Sequence, residues 1–217
     1  MALIADSAVL EEIQYHLLEA PDLGVSWTDG LWSTAEVVGY ANQRQQRFLK
    51  EAPVLFGRAN ITHSLPNAAF QTLPSDWAVT NRLVWIDATD NTWTELPRVD
   101  HRELDLVSAA WPTASAAKPQ VYTDADTPTL TIQVAPTATN AGYFQITYVP
   151  TAPALDGTGG GSLFLVPEEF VPAIKYGIMA DMLGKTERAY DPQRAAYCEA
   201  RFGEGVRAAR SMIGGFV

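Results

Sequence analysis

The chain has 217 residues, 47% of them apolar, with a formal net charge of −10 and a pI near 4.7. That length suits one large domain or two small ones, and the apolar fraction excludes a disordered chain. The acidic balance argues against direct gripping of nucleic-acid phosphates, while it suits plain solubility or the wall of a passage to which DNA must not adhere.

Taken from the start, Ala5–Ala20 predicts a helix, with Val9, Leu10, Ile13, Leu17 and Leu18 on one face and His16 exposed. No basic stretch precedes an apolar run here, so no signal peptide is expected. The run "PDLGVSWTDG" predicts a loop. Ser33 and Glu36 then form a capping-box pattern that starts a second helix, ending near Glu51 before Pro53. Its middle, "NQRQQR", is a strongly polar face.

The centre of the chain reads as β-structure. "RLVWID" and "TWTELPRVD" predict strands joined at "ATDN", and "PQVYTD", "TLTIQV" and "YFQITYVP" predict three more. In the last, Phe144, Ile146 and Tyr148 alternate onto one face. "TAPALDGTGGGS", Thr151 to Ser162, predicts a flexible connection.

Two helices should close the sequence. Pro167 suits a first helical turn, Glu168 and Glu169 complement its dipole, and Phe170, Ile174, Ile178 and Met182 recur at helical spacing. Gly184 is the expected C-cap. Asp191-Pro192 predicts the N-cap and first turn of a helix running to about Met212, with Cys198, Phe202 and Val206 on its apolar side. Such a hairpin is expected to pack on a core. Cys198 is the single cysteine, which excludes an intrachain disulfide and a cysteine-based zinc site. No window reaches about 18 continuous apolar residues, so no transmembrane span is expected.

The expected architecture is therefore α+β. N-terminal helices (1–58) and a C-terminal helical hairpin (166–213) form a helical layer. Between them lies a central antiparallel β-domain (59–165), sandwich- or barrel-like, with the flexible loop 151–162; a mobile tail, 214–217, ends the chain.

Chemistry-bearing motifs are sparse. In "DHRELD", His101, Glu103 and Asp105 would share one face of an extended segment and are legitimate metal ligands. Three ligands in a row on one strand rarely converge on one ion, so a solvated or interface face is the expected reading. "DAD", Asp124 to Asp126, lacks the glycine and distal glutamate of a calcium loop. "GTGGGS" lacks the Lys-Ser/Thr and following helix of a phosphate loop. His16, His63 and His101 stand in three unrelated contexts, and no acid–base pair is identifiable by spacing. Trp27, Trp32, Trp77, Trp85, Trp93 and Trp111 suit a sugar-binding platform or a β-core and subunit interface equally well. No catalytic, metal or cofactor site is expected.

Several segments, in order, resemble the head-to-tail adaptor (connector or neck) proteins of tailed bacteriophages. They are "LPSDW" (Leu73–Trp77), "HRELD" (His101–Asp105), "KPQVYTD" (Lys118–Asp124), "FQITYVPTAPAL", and the terminal pair "VPEEFVPAIKYGIMADMLGK" and "YDPQRAAYCEARFGEGVRAAR". The resemblance implies a non-enzymatic virion protein of the head–tail neck, assembled in the host bacterial cytoplasm. It implies a homo-oligomeric ring, commonly of about twelve copies, below the portal protein. That ring would extend the DNA channel, let double-stranded DNA pass without sequence preference, and dock tail or nozzle proteins. It implies that the helical ends pack between neighbouring subunits, which makes Phe170, Ile174, Ile178, Met182, Phe202, Val206 and Phe216 the candidate interface residues. "MIGGFV" is a candidate portal-docking segment. Two other readings stay open: a carbohydrate- or host-binding β-module of a tail structure, and a metal-dependent hydrolase built on His101, Glu103 and Asp105.

Overall fold

A computed structural model describes residues 4–17, 31–54, 56–62, 69–124, 127–157, 162–186 and 190–214. Among them lie five α-helices: α1 (Asp6–Leu17), α2 (Thr34–Glu51), α3 (His101–Val107), α4 (Val171–Gly184) and α5 (Pro192–Gly214). The strands are β1 (Gly57–Thr62), β2 (Phe70–Thr72), β3 (Trp77–Asp87), β4 (Trp93–Leu96), β5 (Ser115–Ala116), β6 (Val121–Thr123), β7 (Thr131–Ala135), β8 (Thr137–Ala138) and β9 (Gly142–Pro150). The class is α+β, with helices at both ends and antiparallel sheets in the middle. The chain divides into two compact units, one from Met1–Leu55 and Thr151–Val217, the other from Phe56–Pro150. No helix among the described residues is long and apolar enough to cross a membrane.

In the helical unit, local signals set the helix starts. The Ser33 Oγ accepts from the Glu36 backbone N–H at 3.2 Å, and the Glu36 carboxylate accepts from the Ser33 N–H at 2.9 Å. At α5 the Asp191 carboxylate accepts from the Arg194 N–H at 3.0 Å. Pro172 sits in the first turn of α4, after a short 3-10 turn at Glu168–Phe170. The end of α4 differs from expectation: Gly184 is still helical, and Lys185, extended at φ −65° and ψ 125°, caps it. A left-handed glycine is not needed because the Lys185 N–H turns back onto the Met182 carbonyl.

Helix α4 is the centre of this unit. Val171, Ile174, Ile178, Met179, Met182 and Leu183 are all buried, because α1, α2 and α5 surround the helix. Gly205 lets α5 come close: a Cβ there would meet the Ala173 Cβ at 2.3 Å. The six aliphatic side chains are each worth about 1.5–3 kcal/mol on burial, an upper bound for a compact unfolded chain.

The β unit holds a four-stranded sheet, β1-β9-β3-β4, and a three-stranded sheet, β2-β7-β6. Strand alternation puts Leu83, Trp85, Phe144 and Ile146 of the first sheet onto Ile132, Val134 and Tyr122 of the second, in one core. Beyond β4 the chain runs beside β6. The Tyr122 N–H donates to the Pro97 carbonyl, and the Val99 N–H to the Tyr122 carbonyl. The two sheets are thereby joined on one side and end in the edges β1 and β2, a barrel-like arrangement open at one seam. Asn91 takes the left-handed position, φ 53°, of the turn between β3 and β4.

Two expectations are corrected. His101–Asp105 is helical, not extended, because Asp100 caps it: its carboxylate accepts from the Arg102 N–H at 2.9 Å. The segment 151–165 belongs with the helices rather than with the sheets, and its described part is tied down rather than loose. Asn42 on α2 both donates to the Leu155 carbonyl and accepts from the Leu155 N–H, as a neighbouring strand would. Gln46 donates to the Ala152 carbonyl at 2.9 Å, and Gln45 accepts from the Leu165 N–H at 2.6 Å. Residues 158–161 lie outside the described residues.

Candidate functional site

The α3 cap undoes the proposed ligand row. On a helix, residues two apart diverge, so His101, Glu103 and Asp105 do not converge on one point. Asp105 accepts from the Trp111 indole N–H at 2.8 Å, and the His101 ring packs at 5.3 Å from the same indole. Glu103 lines a surface depression. Among the described residues no group of three His, Cys, Asp or Glu side chains is placed to hold a metal ion. Asp124 instead pairs with Arg98 at 2.6 Å, and the rest of "DAD" lies outside the described residues.

The glycine run is structural where it is described. Gly157 adopts φ +69° and is buried, and its N–H donates to the Asp6 carboxylate at 2.8 Å. The Ser162 hydroxyl donates to the same carboxylate at 2.5 Å. Cys198 is also buried, and desolvation pushes its thiol above the ordinary value, which leaves little thiolate for nucleophilic chemistry.

The tryptophans do not form a row. Trp85 is fully enclosed, and Trp32 and Trp111 are buried. Trp77 donates to the Thr80 hydroxyl at 3.0 Å. Of the five described, Trp93 stands out, 65% exposed on β4 with the Arg82 guanidinium 5.4 Å from its ring centre. Trp27 lies outside the described residues.

The apolar residues expected at a subunit interface are mostly inside their own unit. Ile174, Ile178, Met182 and Phe202 have no exposure, and Val206 is 2% exposed. A side chain fully covered by its own chain has no surface to offer a neighbour. Phe170 is half-buried and lines an α4–α5 groove with Pro172, Tyr176 and Met212; Phe216 lies outside the described residues.

Periodicity reads the α2 polar stretch as one polar face, yet Arg44 and Gln45 are buried. Arg44 makes a two-pronged contact with Asp181 on α4, Nε to Oδ2 at 2.6 Å and Nη2 to Oδ1 at 2.5 Å, and a third bond to Glu199 on α5 at 2.5 Å. Arg47 reaches the other Glu199 oxygen at 2.7 Å, and both guanidiniums lie 5.1 Å from the Phe202 ring centre. Partial burial alone would raise the Glu199 carboxyl, but hydrogen bonds from Arg47 and Arg44 outweigh it and hold the group below the ordinary carboxylate range. This is a scaffold: three helices joined through one charge network.

Two polar surface depressions are present among the described residues, one lined by Asn42, Gln43, Gln46, Arg47, Lys50 and Glu51 and the other by Arg98, Asp100 and Glu103. No curated protein matches the chain. A solved structure described as the neck of an empty GTA particle computed with C6 symmetry is 14% identical, with 93% of this chain and 95% of that chain covered at a TM-score of 0.29. A family model described as SU10 adaptor protein matches residues 7–214, through both helical ends and the whole β unit, and the chain belongs to that family.

Proposed function

We propose that this head-to-tail adaptor acts as a ring of about twelve copies beneath the portal of a tailed phage. The ring continues the DNA channel downward and docks tail or nozzle proteins, and the protein works in the virion neck without catalysing a reaction. The observation that carries this reading is the family match across residues 7–214. The net charge of −10 supports it, since a channel wall of like charge lets DNA slide. So does a helical body tied together by Arg44, which suits a rigid structural part. Ring contacts then fall to exposed groups: the Phe170–Met212 groove is one candidate on the hairpin, and the segment from Met212 onward is the candidate for portal docking.

Mass photometry of the chain, alone and with the portal ring of the same genome, tests it. The portal peak is expected to shift by the mass of about twelve chains. A portal peak that does not move overturns direct portal docking and points to a lower neck or tail position.

A further inference from the structure

Helix α3 leaves an apolar surface uncovered. It buries one of its seven residues, Leu104, while Leu106 and Val107 are 87% and 85% exposed. Beside them lies a depression of about 450 Å3 whose apolar wall includes Val99, Leu104, Trp111, Val121 and Pro136. Its floor is a small cluster, Leu104, Trp111 and Ala135, separate from the main β core. Glu103 stands at the rim and makes no ion pair among the described residues. An exposed apolar patch with a formed pocket marks a docking surface.

The same β unit projects a group of matching chemistry. Trp93 is 65% exposed on β4, with Arg82 against its ring. Arg82 already pairs with Glu95 of its own chain at 2.9 Å, and its remaining guanidinium N–H groups leave room for a second carboxylate, so this flat apolar body beside a cation suits an apolar pocket beside a carboxylate. Trp93 does not line the depression of its own chain. We infer that Trp93 of one copy seats in the α3–β6 depression of a second copy, with its Arg82 facing the second copy's Glu103. One buried indole covers about 150–250 Å2, against about 1,200–2,000 Å2 for a stable interface. Trp93 is therefore one anchor within a larger contact between neighbours, the place where aromatic residues carry most binding energy. On the ring reading the contact is head-to-tail and closes by rotation. The choice of occupant rests on the ring reading above.

The test places photo-reactive benzoylphenylalanine at position 93 of the full chain and mixes isotope-labelled with unlabelled copies. The mixture is irradiated alone at high concentration and on the portal ring. Mixed-isotope cross-links from position 93 to residues 99–111 or 120–136 are expected. Mixed cross-links elsewhere, or cross-links confined to one copy, overturn the inference. In parallel, Arg82→Glu and Glu103→Arg should each weaken self-association about fivefold, and the double variant should recover most of it. Absence of rescue overturns the pairing, since loss of the internal Arg82–Glu95 bond would not be repaired by Glu103→Arg. If the unaltered chain stays monomeric in both settings, the ring reading falls with this one. If it forms rings while the cross-links miss, this inference alone falls.

Discussion

Arg44 illustrates how tertiary surroundings decide the part a polar residue plays. Its guanidinium is nearly sealed, and its partners lie 137 and 155 residues away in sequence. Arg44→Met keeps the packing volume, strands the Asp181 carboxylate and leaves Glu199 to Arg47 alone. The expected loss is about 3 kcal/mol, the low end for a broken buried pair because both acids are partly exposed, read as a lower urea midpoint. Glu36 gives a pH signature. Hydrogen bonds from Lys185 and Ser33 hold its carboxyl down to about 2, from an ordinary 4.5. The folded value lies below the unfolded one, so this contribution is complete above about pH 4.5 and is lost as pH falls towards about 2. Glu36→Gln should flatten that acid limb of the urea midpoint; an unchanged slope would show that the carboxylate is not linked to folding.

At the scale of elements, α3 and the 151–165 strap are where periodicity misleads. His101, Glu103 and Asp105 alternate as a strand would, but Asp100 and Glu103 stand three apart, the spacing of a helix N-terminus, and that signal prevails. Asp100→Ala should cost the β unit about 1 kcal/mol and reduce amide protection in α3 alone. The strap looks flexible by composition, yet Asn42, Gln45 and Gln46 satisfy its backbone groups. Gly157→Val should destabilise by at least about 1–2 kcal/mol. The substituent meets the Val38 Cγ2, 2.5 Å from an ideal Cβ, in a left-handed backbone. A thermal midpoint equal to that of the parent chain would refute the docked strap.

For the whole molecule, the two units differ in how the chain builds them. Residues 56–150 are continuous and own a core around Trp85 and Phe144. Expressed alone, they should melt cooperatively, with the near-ultraviolet signal of an enclosed indole; a broad, non-cooperative melt would show that the core needs the rest of the chain. The helical unit needs both ends of the chain, so neither 1–55 nor 151–217 alone should fold.

The sequence by itself determined the capped helices, the main strands with their inward faces, and the order of motifs shared with the adaptor family. Those features arise within a few residues, from caps, turns and periodic apolar spacing. Only the tertiary structure decided that Arg44 and Gln45 lie inside, that Ile174 and Phe202 are spent on their own core, and that Trp93 alone among the described tryptophans stands open to solvent. Burial depends on which distant segments arrive at a face, as Asp181 and Glu199 arrive at Arg44. Local spacing carries no record of such meetings.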